Sequence, residues 1–203
     1  MGIDEWDIAI KGLTLSVVMI GAWRGFMEYR KTQDWKKAEF LATEYKKFVD
    51  DQDVKNAFLI LDGYKILNQI NDCTNLIKDY KRYKPIKKLI KALSEKDSEK
   101  RDELEEYIVL CIDRFLFKLG IFNSYIELDL GSKEQVWSYL SYWIKLIGGS
   151  DEKIIDMKAQ KALKEFIETY KYESVISLVK KYEDNLKQTT LKTIHFRTEI
   201  SLK

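Results

Sequence analysis

The segment LEEYIVLCIDRFLFKLG, residues 104–120, is typical of a strongly apolar helix, which we expect to run from its first residue to Leu119. A charged stretch, SEKDSEKRDELEE at residues 94–106, leads into it. Gly120 predicts the end of this helix, because glycine readily adopts the left-handed conformation that terminates many helices.

Helical patterns continue on both sides of this segment. SKEQVWSYLSYWIKLIGG, residues 132–149, begins with Ser132 and Gln135 at capping-box spacing and closes with two glycines. One proline and nine glycines in 203 residues are few for a sheet protein with many tight turns. We therefore predict an all-α fold. The further helices are expected at Asp4–Lys31, Trp35–Val49, Asp53–Ile70, Ile86–Leu93 (with Pro85 in its first turn), Asp156–Tyr170 and Glu173–Asp184.

The C-terminal tail carries a different pattern. In TIHFRTEISL, residues 193–202, apolar and polar side chains alternate, which is typical of a half-buried strand. We predict a short C-terminal strand that needs a partner edge in this chain or in a neighbour. The alternative is a frayed tail whose alternation is chance.

Composition narrows the classes of function. Hydrophobic residues make up 45% and charged residues 33%, as in a globular chain, and the net charge of +2 gives no general sign of a nucleic-acid partner. Cys73 and Cys111 have no motif spacing and are expected to be free thiols, and His195 is the only histidine. We therefore expect neither a metal site nor a cofactor. Phosphate loops, nucleophile elbows and zinc-protease motifs are absent from the sequence, which predicts a non-enzymatic protein.

A second apolar segment, WDIAIKGLTLSVVMIGAWRGFMEYR at residues 6–30, raises the question of a membrane helix. Its uncharged run, Gly12–Trp23, has 12 residues, whereas a lipid-spanning helix needs about 20. Extending the window to Trp6–Met27 gives 22 residues with three charged interruptions. Run length alone therefore leaves a membrane span and a buried soluble helix open.

Helical periodicity divides this segment into two faces. At about 100° per residue, one narrow stripe collects polar or small residues at alternating spacings of four and three, and the remaining circumference is mostly apolar. Such a stripe suits sister helices or an aqueous lumen, and the apolar arc suits acyl chains. The stripe, called the arm stripe below, comprises Asp7, Lys11, Thr14, Val18, Gly21, Gly25 and Glu28.

Glycine spacing and flanking charges favour insertion. Gly21-x-x-x-Gly25 allows close backbone approach between helices in a membrane. Acidic residues precede the segment and basic residues follow it, so the positive-inside rule predicts an outside N-terminus. Lys11 within a span costs about 2.5–3.5 kcal/mol unless it pairs, snorkels or faces water, and Asp7 is four residues away on the same stripe. A peripheral helix on the bilayer and a buried helix of a soluble bundle remain the alternatives.

Two further clusters carry a functional and a structural interpretation. The basic segment KDYKRYKPIKKLIK, residues 78–91, predicts either a surface for RNA or anionic headgroups, or a solvated face balanced by the acidic stretch after it. The aromatic group from Trp137 to Trp143 predicts core packing, with a ligand box as the alternative. The candidate partner-binding residues of the basic segment are Lys78, Lys81, Arg82, Lys84, Lys87 and Lys88.

Two segments carry a family resemblance. The span followed by EYRKTQDWKKAEFLATEYKKFVDDQDVKNAFLIL, and LEEYIVLCIDRFLFKLGIFNSYIELDLGSKEQVWSYLSYWIKLI, resemble small bacterial proteins with one membrane helix and a cytoplasmic helical domain. This group is similar to the accessory membrane protein of type VI-B CRISPR RNA nucleases. The resemblance covers Trp6–Tyr182 and rests on apolar and aromatic patterns. It implies an oligomeric pore that depolarises the bacterial inner membrane during antiphage defence.

The sequence thus predicts three parts: a transmembrane or membrane-associated helix at 1–31, a cytoplasmic helical domain at 32–185 and a tail at 186–203. The main hypothesis is a homo-oligomeric membrane pore, with the bilayer, other copies and a CRISPR RNA-guided nuclease or RNA as partners. A membrane-tethered helical adaptor for a protein or RNA is the second hypothesis. A soluble interaction module with a buried first helix is the third.

Overall fold

The described residues fold into helices joined by short turns. The structure is a computed structural model of the chain, and it describes residues 3–63, 85–149 and 156–186. All regular secondary structure within these ranges is helical, so the predicted all-α class is confirmed there. The helices are α1 (Ile3–Asp50), α2 (Gln52–Leu61), α3 (Pro85–Ser94), a short 3-10 turn (Ser98–Lys100), α4 (Glu103–Glu127), α5 (Lys133–Gly148), α6 (Met157–Thr169) and α7 (Glu173–Lys180).

Helix α1 is a single helix of 48 residues, so the predicted break between Lys31 and Trp35 is wrong. The polar residues of this stretch are tolerated because they lie in an exposed helix. Thr32 donates its hydroxyl proton to the carbonyl oxygen of Glu28 at 2.9 Å, the i−4 bond that lets threonine sit inside a helix. At about 1.5 Å per residue, α1 is about 72 Å long.

Helix α4 does not stop at Gly120, as predicted, but continues to Glu127. Gly120 has another role, because a Cβ atom there would lie 3.0 Å from the Cβ of Ser174 in α7. The glycine therefore permits close packing of two helices. Helix α2 also differs from its prediction, since it ends at Leu61, and Gly63 at φ 75° turns the chain before Ile70.

The predicted signals at both ends of α5 and at the start of α3 are confirmed. Ser132 and Gln135 form both hydrogen bonds of the capping box of α5, and Gly149 at φ 78° closes that helix. Pro85 is the first residue of α3, as predicted. Asp156, predicted as the first residue of its helix, is instead the N-cap of α6 and accepts two backbone N–H groups. The end of α7 at Lys180 comes before the predicted Asp184. The predicted tail strand lies outside the described residues.

The core surrounds α4, which packs against α2, α3 and α7. Fully buried α4 side chains include Ile112, Phe115 and Leu119. Aromatic rings from other helices close around them, with Trp143 of α5 stacked on Phe58 of α2 at 3.9 Å between ring centroids. The helices α2 to α7 and the C-terminal part of α1 form one cluster, which we call the body. Among the described residues, none of the helices is both long enough and apolar enough to cross a membrane.

Candidate functional site

The first candidate site is the N-terminal part of α1, residues 3–36, which we call the arm. Every residue from 15 to 32 is exposed, including large apolar side chains over most of the circumference of the helix. Trp23 is 66% and Ile20 62% exposed, and the Arg30 guanidinium lies 5.9 Å from the Phe26 ring centroid. Apolar surface of this extent on a helix is typical of a site for another helix or for lipid. Burial of this part of the arm in the body, as the soluble-module hypothesis requires, is wrong.

The structure describes the surroundings of only part of the arm stripe. Val18 is 62% exposed, and no described atom lies within 4 Å of where a Cβ of Gly21 or Gly25 would be. The backbone of Asp7, Lys11 and Thr14 belongs to α1, but their side chains lie outside the described set. The two glycines therefore present open backbone that another helix can approach.

The base of the arm is anchored by α4. Lys37 forms an ion pair with Asp129 at 2.5 Å between Nζ and Oδ2, and Phe40 packs edge-on against Tyr125 at 5.1 Å between ring centroids. Tyr125 also donates its hydroxyl proton to Glu44 at 2.9 Å. Burial, together with this carboxylate, raises the pKa of Tyr125 to about 12. The tyrosine therefore remains a hydrogen-bond donor at neutral pH.

The basic segment is described only from Pro85 onward, so Lys78, Lys81, Arg82 and Lys84 lie outside the described residues. Lys87 is exposed on α3. Lys88 instead donates to the carboxylates of Asp102 and Glu105, the latter at 2.7 Å.

Two lysines of α3, Lys88 and Lys91, both form ion pairs with the carboxylate of Glu105. It is fully buried, and Lys91 also lies 2.8 Å from it. Burial alone would raise the pKa of Glu105, but the hydrogen bonds from the two lysines hold it below its usual value. The charge of Lys88 is thus balanced within the chain, in line with the structural interpretation of this segment.

The predicted aromatic group belongs mainly to the core. Trp143 is 7% exposed, and Tyr139 stacks on Tyr45 of α1 at 4.7 Å between ring centroids. Trp137 packs against Tyr182, with 5.1 Å between ring centroids. The core-packing interpretation is therefore confirmed for these residues.

Cys111 is a buried free thiol, as predicted. Burial raises the pKa of Cys111 to about 11, so the thiol is protonated at neutral pH and is a poor nucleophile. Beside it, Asn56 donates to the Tyr107 hydroxyl at 2.6 Å. In the described part of the chain, no three His, Cys, Asp or Glu side chains come together in a way that could hold a metal ion.

A second exposed apolar feature, on α4, was missed by the sequence reasoning. Leu110, Phe117 and Ile121 lie along one line of α4, which continues to its C-cap residue Leu128. Phe117 and Leu128 are each 68% exposed and Leu110 is 42% exposed, whereas Ile121 is half-buried. We call these four residues the α4 ridge. Their spacings of seven, four and seven residues are the sequence signal that could have identified it. Grooves of about 180 Å³ toward α1 and about 350 Å³ toward α7 flank the ridge.

Comparison with known proteins gives no match: no family model, no curated protein and no solved structure is similar to this chain.

Proposed function

We propose that this protein is a non-enzymatic membrane effector, in which several copies associate through the arm in a bilayer and permeabilise it. The observation that carries the proposal is the exposure of large apolar side chains over most of the circumference of α1 between residues 15 and 32. Removing apolar surface from water lowers the free energy by about 25 cal/mol per Å², so an exposed surface of this kind favours association with a partner. Lipid on the apolar arc and sister helices on the arm stripe together cover this surface.

The arm stripe reconciles insertion with moderate hydropathy. A helix that lines a lumen carries a polar stripe, and its mean hydropathy is therefore lower than that of a helix surrounded by lipid. Lys11 and Asp7 then face water or each other, which removes most of the cost of placing them at membrane depth. Gly21 and Gly25 give the sister helix its closest approach.

The flanking charges and the family resemblance support an orientation in the membrane and a biological role. Arg24, Arg30 and Lys31 at the end of the arm favour an outside N-terminus and a body on the cytoplasmic side of the bacterial inner membrane. The resemblance to the accessory protein of type VI-B CRISPR nucleases supports a role in antiviral defence. An RNA-guided nuclease or RNA is the partner class that this role implies.

The first test is fractionation of the full-length protein with an alkaline carbonate wash, followed by dye leakage from cells or vesicles. We expect the protein to stay in the pellet until detergent releases it. Gly21→Leu and Gly25→Leu should each reduce both the oligomer mass and the leakage, because each inserts a bulky side chain into the closest helix contact. Ser16→Leu is the matched control, since it adds the same side chain on the opposite side of α1.

Three other results of these experiments would contradict the proposal in different ways. Release of the protein by carbonate contradicts insertion. Unchanged oligomer size in both glycine variants contradicts assembly through the arm stripe. A membrane-bound protein that is monomeric and causes no leakage favours the tethered adaptor, and charge reversal of Lys78, Lys81, Arg82, Lys84 and Lys87 should then abolish partner binding.

A further inference from the structure

The α4 ridge has the spacing of a helix-pairing seam. Leu110, Phe117, Ile121 and Leu128 are joined by the intervening Arg114 and Ser124 into a run with alternating spacings of four and three. This is the pattern by which one helix packs along another with a shallow crossing angle. A polar residue in such a seam fixes register at some cost in stability, which is a role for Ser124.

The surface around the ridge can fit a copy of itself. The groove toward α7 is lined by Phe117, Gly120 and Ser174, and the groove toward α1 by Phe48, Ile121 and Tyr125. A protruding ridge between two grooves allows the ridge of one molecule to enter a groove of another. An isologous contact needs this self-complementarity, because the same patch occurs on both sides.

A parallel pair of α4 helices would place both arms on the same side. Contacts between α1 and α4 run in opposite sequence order along the two helices. They are Lys37 with Asp129, Phe40 with Tyr125, Phe48 with Phe122, and Asp51 with Lys118. The ridge is thus aligned with the axis of α1, and a twofold axis along α4 directs both arms to the same side.

Three of the charged side chains beside the ridge are paired within the chain. Arg114 is bound to Asp53, and Lys118 to Asp51. Toward α7, Glu127 pairs with Lys181 at 2.8 Å. Pairing within the chain lowers the repulsion between these three side chains and their counterparts in a second copy, which would otherwise oppose association.

We propose that the α4 ridge is the contact between the bodies of two copies of this chain, packed in parallel about a twofold axis along α4. The inference rests on the proposed assembly and deepens it, because it assigns a second interface in the body. Parallel ridge pairing also brings two arms together before the arm stripes associate.

The first experiment is disulfide trapping in the full-length protein in detergent, with Cys73→Ser as background. Ser124→Cys replaces one small side chain by another within the seam, where the two copies of a parallel pair meet. We expect most of the protein to form a covalent dimer on mild oxidation. Ser138→Cys on exposed α5 is the matched control and should give no more dimer than the background.

The second experiment measures particle mass by light scattering for Phe117→Asp. Met157→Asp is its control, because Met157 is 67% exposed and lies away from the ridge, at the start of α6. Phe117→Asp should raise the dissociation constant of the assembly roughly 30-fold, as expected for loss of a central aromatic contact. Met157→Asp should leave the dissociation constant unchanged.

Ridge pairing fails separately from arm assembly. An oligomer of full mass without Ser124→Cys dimers, or with equal trapping at position 138, overturns ridge pairing and leaves arm assembly in place. A protein that is monomeric in detergent in every variant removes both. Trapping at position 124 together with the mass loss of Phe117→Asp supports the ridge contact.

Discussion

Helix α1 contains two regions of similar apolar content and opposite environment. In the arm, Ile20 and Trp23 are more than 60% exposed, whereas in the body Leu41 is fully buried and Phe48 is 4% exposed. The periodicity differs as well, because the body part places its apolar residues on one face and the arm places them nearly all round. Hydrophobicity thus indicates that a helix surface is stabilised by burial. Its periodicity indicates whether the burying contacts come from the same chain or from another molecule.

The largest expected effect comes from removing one aromatic side chain in each of these two regions of α1. Phe48→Ala should lower the free energy of unfolding of the body by about 3–5 kcal/mol, because it opens a cavity between Phe58, Phe115 and Phe122. Phe26→Ala on the same helix should change it by less than about 0.5 kcal/mol. Chemical denaturation followed by circular dichroism measures both values, and equal losses would mean that the arm packs on the body.

A smaller effect concerns the buried carboxylate of the body. Glu105→Gln should destabilise the body by about 2 kcal/mol, less than the ~3–5 kcal/mol of a fully enclosed pair, because Lys88 and Lys91 both reach solvent. Glu106→Gln, exposed one residue along α4, is the control.

The same carboxylate predicts a pH dependence. The pKa of Glu105 is lower in the folded than in the unfolded chain, so its contribution is complete above the usual glutamate pKa of about 4.3. It is lost as pH falls from there through the depressed folded pKa. Denaturation midpoints measured between about pH 6 and 3 should therefore fall less steeply in Glu105→Gln than in Glu106→Gln. Parallel curves for the two variants would contradict this assignment.

The smallest effect compares two glycines inside helices. Gly120→Ala should cost the body about 1 kcal/mol, because the new methyl group meets Ser174 and the clash outweighs the gain in helix propensity. Gly21→Ala meets open space within the chain and should not destabilise the body. Thermal unfolding in detergent checks both variants, and a stabilised Gly120→Ala would show that α7 yields easily.

Sequence reasoning worked where the signal is local. The capping box of Ser132 and Gln135 and the first-turn position of Pro85 each depend on residues within one helical turn. Gly120 misled the prediction because its reason is the approach of Ser174, 54 residues along the chain. A contact between residues so far apart in the sequence cannot be predicted from the residues next to Gly120.

The candidate sites follow the same rule. The arm stripe was defined by spacing alone, and the exposure of Val18, Gly21 and Gly25 agrees with an unpartnered surface in the single chain. The pairing of Lys88 with Glu105 depends on a connection of 17 residues that folds back on itself, so the individual partners could not be assigned. The α4 ridge had a readable spacing, but apolar residues on every side of that helix concealed it.

The unbroken course of α1 has a mechanical consequence. From Ile3 to Asp50 the helix has no hinge, so the arm and the base behave as a lever with its pivot near Lys37. The long side measures about 51 Å and the short side about 20 Å. A sideways displacement at the far end therefore reaches Phe48, about 16 Å beyond the pivot, reduced by about three times and reversed in direction. Force applied to the arm is in this way delivered to the aromatic centre of the body.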